Sequence, residues 1–457
     1  MSKKFIKHFL WIVPLFLILC CIAGFGFYVF EQTKTAEPTP LDDVQQCYYE
    51  SEIEQKYSEF LTGPLPYPVT EAKLFLYAKA GIIIDASNGC ILYAKNADDI
   101  IPPASMTKIA AMYVVFQAIE NGETTLDTVV NLVPDSWAKN APPQSSLMGL
   151  DENQIVTVNE LLIGLAVASG NDAATALAYH IAGSIEAFCD RMNKEMQSLG
   201  LKNTFFVDAS GYSEFNSTTP REFAGLARIY IQKYPEALKK YHSIPYFTFP
   251  QKSNYPENYK DPIPSKTIYA TNRLLQQYDG GIEGCDGLKT GFIYESGFNI
   301  SLTAKRNNTR FISVTMGGPG VGTIEGNRYR MADGKKLMKW AFDSFETHHA
   351  MEKAVVPVRV WQGKENAINV IEAKNHSLSV PNITPNAASK VKRKTVIYGN
   401  VVAPVQVGDV LGKAQYSVDG VLLEEIPLIA DRTVLEGSKL KKIADSLAQK
   451  ILSKRIP

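Results

Sequence analysis

Ile101-Pro-Pro-Ala-Ser105-Met-Thr-Lys108-Ile-Ala-Ala-Met-Tyr-Val-Val-Phe-Gln-Ala-Ile-Glu-Asn-Gly122 joins a proline pair to a strongly apolar segment, with one serine and one lysine at the junction. Prolines suit the entry to a helix, where a missing N–H is no loss. From Ile109 to Ile119 the segment is apolar nearly all round, the pattern of an internal helix rather than a surface one. Ser105 and Lys108 are three positions apart and so share a helix face. A hydroxyl and an amine placed in this way come within hydrogen-bond reach, which is what an activated nucleophile requires. Pressed against a core, an amine loses its hydration, and its pKa falls from ~10.4 by several units. Lys108 is therefore expected to act as the base for Ser105.

Ser-x-x-Lys also occurs at Ser136/Lys139, Ser389/Lys392 and Ser438/Lys441, so the pair gains meaning only from its company. Thr157 with Glu160 forms a capping-box signature ahead of an apolar helix. Ser169-Gly170 is expected to stop that helix, with Asp172 capping the next one, which sets Ser169 and Asn171 in a tight turn between helices. Further on, Asp286-Gly-Leu-Lys289-Thr290-Gly291-Phe292 precedes two alternating runs, Asn299–Ala304 and Arg310–Met316, that predict antiparallel strands. A strand end bearing Lys-Thr-Gly offers a cation, a hydroxyl and free backbone amides. Before the nucleophile, Ala80–Asp85 and Cys90–Ala94 read as a hairpin turned at Asn88-Gly89.

The chain has 457 residues, room for two or three domains. Lys plus Arg and Asp plus Glu both number 47, which gives no net field for a nucleic acid or polyanion. The six cysteines show no zinc-ligand spacing, and neither metal nor cofactor is expected. Disulfide pairing is not decided by their positions. Gly-x-Ser-x-Gly is absent, Gly317–Gly322 lacks dinucleotide-binding spacing and reads as a loop, and His348-His349 is expected as a solvated pair at the end of a helical stretch.

Lys3, Lys4 and Lys7 precede an apolar run from Phe9 to Phe30, about 22 residues and long enough to span a bilayer. Positive charge at this end predicts a cytoplasmic N-terminus and an external bulk. No small-x-small cleavage site follows Phe30, which favours an uncleaved anchor over a signal peptide. Residues 31–72 read as a proline-bearing spacer with one short helix near 50–61. The folded region is expected over 73–350, followed by a small β-sandwich-like domain over 351–436, whose strands are expected at Ala354–Trp361, Thr395–Tyr398, Val401–Val405 and Gly420–Leu423. In residues 437–457, apolar positions at helical spacing and lysines elsewhere predict an amphipathic helix at a membrane interface.

Ser-x-x-Lys, Ser-x-Asn and Lys-Thr-Gly, in this order, are the signature of penicillin-binding proteins and class A β-lactamases. In Pro103–Lys108, Ser169–Ala173, Leu199–Thr204, Thr271-Asn-Arg273 and Asp286–Phe292, the chain resembles the low-molecular-mass D-alanyl-D-alanine carboxypeptidases over about residues 75–455. The resemblance implies an α+β fold in which an antiparallel sheet flanked by helices meets a helical lobe, with the site between them. It also implies removal of the terminal D-alanine of peptidoglycan stem peptides through an acyl-enzyme, with inhibition by β-lactam antibiotics. Its implied roles are Ser105 as nucleophile, Lys108 as base, Ser169 as proton relay to the leaving amine, and Asn171 as a brace for Lys108 and the substrate amide. Lys289 would supply positive potential, Thr290 and Arg273 would bind the substrate carboxylate, and the N–H groups of Ser105 and Phe292 past Gly291 would form the oxyanion hole. The enzyme would work on the outer face of a bacterial cell membrane. The alternatives are a β-lactamase-like hydrolase and a non-catalytic wall-binding scaffold. Class A β-lactamases carry Glu-x-x-Leu-Asn for deacylation, and no such run lies between 169 and 289.

Overall fold

The structure, a computed structural model, describes residues 3–35, 37–56, 61–350, 352–373 and 377–453. The chain divides into two compact units: Phe60–His349 with Ser377–Ser389, and Met1–Glu59 with Ala350–His376 and Lys390–Pro457. The apolar leader is a helix, α1 (Lys3–Glu31), and its Val13–Glu31 stretch has the length and composition of a membrane span. The helix expected in the spacer is α2 (Asp43–Lys56), which begins earlier than the sequence suggests.

In the larger unit, β1 (Gly63–Pro64), β2 (Ala80–Asp85) and β3 (Cys90–Lys95) open a six-stranded sheet. The β2–β3 hairpin turns through residues 86–89, a longer connection than Asn-Gly alone predicts. The helical lobe follows, with α3 (Lys108–Glu120), α4 (Val158–Ile163), α5 (Asn171–Ala182) and α6 (Ile185–Ser198). Helix α3 is as apolar-enclosed as its sequence implies: residues 108–115 are all buried. Thr157 and Glu160 close both halves of the capping box on α4, and Ser184 caps α6. Next come α7 (Pro220–Lys233), with Thr219 as N-cap, and a small hairpin of β4 (Tyr246–Phe249) and β5 (Lys266–Tyr269).

The sheet is completed by β6 (Cys285–Ile293), β7 (Gly297–Arg306) and β8 (Thr309–Gly318), in the order β1-β3-β2-β8-β7-β6. Its pairings are antiparallel except for β1 with β3. Helix α7 packs on β2 and β8, and α8 (Gly322–Ser344) packs on β7 and β8. Both faces of the centre are thus covered, and β2 is buried along its whole length. Lys289-Thr-Gly291 lies inside the edge strand β6 rather than at a strand end. Gly317 and Gly318 belong to β8, and only residues 319–321 form the loop. His348 and His349 sit in a further strand, β9 (Phe345–His349), and His348 is half-buried with Nδ1 2.8 Å from the Ala388 carbonyl. Helix α8 has already ended at Ser344, so these histidines do not form a solvated pair at a helix end.

The second unit contains β10 (Val355–Trp361) and β11 (Ala367–Glu372), the latter not anticipated. The next strand, β12 (Ser377–Pro381), pairs with β9 in the larger unit, although its sequence position suggested the smaller one. Then follow β13 (Lys392–Ile397), β14 (Val401–Val402), β15 (Val410–Val418) and β16 (Val421–Ala430). With β10 and β11 they form a connected six-stranded array, β13-β15-β16-β11-β10-β14, an all-β arrangement. The chain ends in α9 (Lys439–Ser453); Lys454 and Arg455 of the expected tail lie outside the described residues. Among the described residues no disulfide forms and all six cysteines are free.

Candidate active site

Ser105 sits on a 3₁₀ turn, Ala104–Thr107, that runs directly into α3. Ala104 is held at φ 50°, a left-handed conformation costing about 1–3 kcal/mol in a non-glycine residue. Two close approaches hold the turn. A Cβ at Gly291 would lie 2.5 Å from the Pro103 carbonyl oxygen, and one at Gly211 would lie 1.8 Å from that of Ala104. Only glycine lets β6 and the 208–216 loop come this near. Asn299 adds a third tie, donating to the Pro102 carbonyl at 3.0 Å while accepting the Gly317 N–H at 2.9 Å.

Lys108 is fully buried, and its Nζ has three oxygen neighbours: Ser105 Oγ at 3.0 Å, Asn171 Oδ1 at 2.8 Å and the Ser210 carbonyl at 2.6 Å. Burial lowers its pKa to about 7 against the opposing charges of Asp208 and Asp172. A neutral amine has two N–H bonds and one lone pair. Asn171 Oδ1 and the Ser210 carbonyl can only accept, so they take both N–H bonds and leave the lone pair for the Ser105 hydroxyl proton. The two acceptors thereby fix the direction of proton transfer.

Ser169 occupies the left-handed position, φ 58°, that ends a π-helical turn over Gly164–Ala168. Its Oγ accepts from Lys289 Nζ at 2.8 Å, and the same amine donates to the Thr290 carbonyl at 3.0 Å. Lys289 is also buried; desolvation, then the charges of Lys108 and Arg330, press its pKa well below the ordinary lysine range. Thr290 Oγ1 is 2.8 Å from Thr271 Oγ1. Asp172 does not cap α5, whose N-cap is Gly170. Its carboxylate accepts the Ala173 N–H of the same helix at 2.9 Å and the N–H groups of Met148, Gly149 and Leu150 at 2.7–3.0 Å, tying the 148–150 segment to the base of the Ser169–Asn171 turn.

These groups border a cleft of about 620 Å³ that reaches Ser105, Ser169, Asn171, Thr290, Gly291 and Phe292. A larger groove of about 890 Å³ on the same unit, beside Arg310 and Asp286, contains none of them and has no activated nucleophile. Arg273 is not brought to the cleft: its exposed guanidinium lies 5.5 Å from the Tyr269 ring centre and 5.0 Å from that of Tyr278. The cleft arginine is Arg330 of α8, 8% exposed, donating to the Gly291 carbonyl at 3.3 Å. Desolvation lowers its pKa to about 10. Sequence reading passed over it, although Gly326, Arg330, Gly334, Leu337 and Ala341 mark the buried face of that helix. Glu214 and Glu295 are exposed on the rim, and neither is hydrogen-bonded to Ser105 or Lys108. Among the described residues no cluster of metal-ligating side chains is present.

Residues 68–320 match the family model described as D-alanyl-D-alanine carboxypeptidase, and 345–436 match that of the penicillin-binding protein 5 C-terminal domain. The D-alanyl-D-alanine carboxypeptidase DacA of Haemophilus influenzae is 35% identical over 75% of this chain and 81% of its own. DacF of Bacillus subtilis, of the same description, is 32% identical over 77% and 85%. Among solved structures, penicillin binding protein 5 from Haemophilus influenzae superposes with a TM-score of 0.67 at 33% identity, covering 81% of this chain and all of that one.

Proposed function

Because this chain belongs to the D-alanyl-D-alanine carboxypeptidase family, and is thus a serine-type carboxypeptidase of peptidoglycan stem peptides, we propose that Ser105 and Lys108 perform its chemistry. Ser105 Oγ attacks the carbonyl of the terminal D-Ala-D-Ala bond as Lys108 takes its proton. The observation that carries this assignment is the buried Lys108 amine 3.0 Å from Ser105 Oγ, with both its N–H bonds engaged elsewhere. The oxyanion would be met by the N–H groups of Ser105 and Phe292, where loss of one donor typically reduces rate ~10²–10³-fold. Asn171 holds Lys108 and offers its amide to the substrate. Ser169, bonded to Lys289, gives its hydroxyl proton to the leaving amine and is replenished by the proton Lys108 took from Ser105, so that D-alanine departs and Lys108 is neutral again. Water then hydrolyses the acyl ester.

The substrate carboxylate is assigned to Lys289, Thr290 and Arg330. Desolvation, then the charges of Lys108 and Arg330, disfavour a cation at Lys289. An arriving carboxylate reverses that balance at Lys289, so the cation forms where the anion binds and Lys108 stays neutral. Arg273 is kept as a secondary candidate for the carboxylate, on the resemblance alone.

The catalytic region is assigned to about 73–350, and the outer face of the cell membrane is its proposed place of work. In α9, Leu440, Ile443, Leu447 and Ile451 form an exposed apolar stripe, 82%, 59%, 48% and 39% accessible, and Asp445 and Ala448 face inward. Such a stripe beside lysines suits the interface of an anionic membrane.

A β-lactam presents a strained carbonyl and a carboxylate to the same groups. With no glutamate among the described residues bonded to the nucleophile pair, the penicilloyl ester should persist for minutes. Fluorescent penicillin is expected to label the purified protein at Ser105, and Ser105→Ala should abolish the label. Rapid turnover without label would point to a β-lactamase, and no reaction by folded protein would point to a scaffold.

A further inference from the structure

The segment that follows the apolar leader precedes both family-matched regions, yet it is bonded into the C-terminal unit at successive points. Tyr28, in the last turn of α1, donates its hydroxyl to Asp445 Oδ1 of α9. Asp445 is only 1% exposed, and its other oxygen accepts the Gln362 N–H at 2.6 Å and Lys441 Nζ at 3.2 Å. One turn beyond Tyr28, the Gln32 side-chain oxygen accepts from Arg359, whose second nitrogen donates to the Lys34 carbonyl at 2.9 Å. Thr39 Oγ1 accepts from the buried Arg432 at 3.3 Å. In α2, Tyr49 is 6% exposed and packs with Ala373, Val407 and Ile429.

A discarded leader has no use for a partner in the mature fold, and a passive spacer would leave its backbone solvated. Here a buried carboxylate and two arginines of the folded unit take partners from residues 28–39. A buried carboxylate needs such donors to remain charged.

We propose that the N-terminal apolar helix is retained, and that its last turn with residues 32–49 is a permanent part of the C-terminal unit, so that α1 enters the bilayer from beside α9. Both ends of the chain then hold the enzyme at one place on the membrane. The inference extends the membrane reading of α9 and can fail separately from it, because its readouts are chain mass and contact rather than lipid binding.

The test uses the full-length chain extracted from bacterial membranes. Intact mass should be that of the whole chain, about 50.5 kDa; a mature chain that has lost the apolar helix would overturn the proposal. With Cys20, Cys21 and Cys47 replaced by serine, Tyr28→Cys and Asp445→Cys should be joined by a short bismaleimide, identified by mass spectrometry of the linked peptides. An intact leader with no such link would overturn the docking. Tyr28→Phe, which keeps the ring, should raise amide exchange at Gln362 and in α9 about tenfold, the effect of losing one charge-assisted hydrogen bond. Unchanged exchange would likewise overturn it.

Discussion

Replacing Lys108 by Met keeps the stem of the side chain in the core and removes the amine, so that the energetic effect of burying a base becomes measurable. The unfolded chain holds this proton up to an ordinary lysine pKa of 10.5, whereas the native chain releases it at about 7. Between those values the unfolded state binds the extra proton, so wild-type stability must rise with pH, and the gain is complete only above pH 10.5. Integrating the two titrations gives about 3.5 kcal/mol gained by the wild type between pH 7 and pH 10, relative to the variant. Groups whose titration does not depend on Lys108 cancel in the difference. Lys289, depressed first by desolvation and then by Lys108, adds to the contrast, because removing Lys108 relieves that second part and flattens the variant's own pH dependence. Hydrogen bonds lost by Asn171 and Ser210 shift the variant's curve vertically without changing its slope. The assay is urea unfolding of the catalytic unit at half-unit pH steps. Parallel wild-type and Lys108→Met stabilities from pH 7 to pH 10 would refute the depressed amine.

The same amine is the proposed catalytic base: kcat/KM for a D-Ala-D-Ala peptide should fall on the acid side with an apparent pKa near 7, and Lys108→Arg, unable to deprotonate, should lose at least ~10²-fold in turnover at every pH. A carboxypeptidase rate independent of pH from 5 to 9 would remove Lys108 from proton transfer. Arg330→Ala should lower kcat/KM by roughly 10–100-fold, the effect of one charge-assisted contact to a carboxylate, while Arg273→Ala should stay within about twofold; a reversal of that order would return the carboxylate to Arg273. A form lacking residues 1–31 should bind vesicles containing anionic lipid, more weakly at high salt, and should lose binding when 437–457 are deleted; equal binding after that deletion would assign α9 to packing instead.

What the sequence made legible was local. The i, i+3 spacing placed Ser105 and Lys108 together, and the apolar surround of Lys108 anticipated its depressed pKa, because a 3₁₀ turn leading into α3 preserves the shared face. Alternation found β7 and β8, and the capping box at Thr157 found the start of α4. Positions fixed by distant partners were not readable. Asp172 looked like a cap because cap signatures are local, but apart from the adjacent Ala173 N–H its partners lie 22–24 residues upstream. Ser377–Pro381 carries no signal that would send it to pair with Phe345–His349. Lys-Thr-Gly reads as a strand end, but β7 pairs across it, and the nearness of Pro103 gives Gly291 its purpose. Arg330 was the harder omission, since one arginine on an amphipathic helix face resembles many others until β6 is laid against it.

The glycines that wall in the nucleophile also bear on drug resistance. A bacterium selected on penicillin could relieve acylation by narrowing the site, and the shortest route would be a larger residue beside Ser105. At 211 and 291 that route is closed, because even a methyl group would collide with the carbonyls of Ala104 and Pro103 and displace Ser105, the proposed nucleophile. Tolerated changes should therefore gather on the exposed rim, at Tyr212, Glu214, Phe292 and Tyr294, where a side chain can alter the entry of a bulky antibiotic without moving Ser105. In a resistant lineage, variation at those four positions with 211 and 291 invariant would be the mark of this constraint.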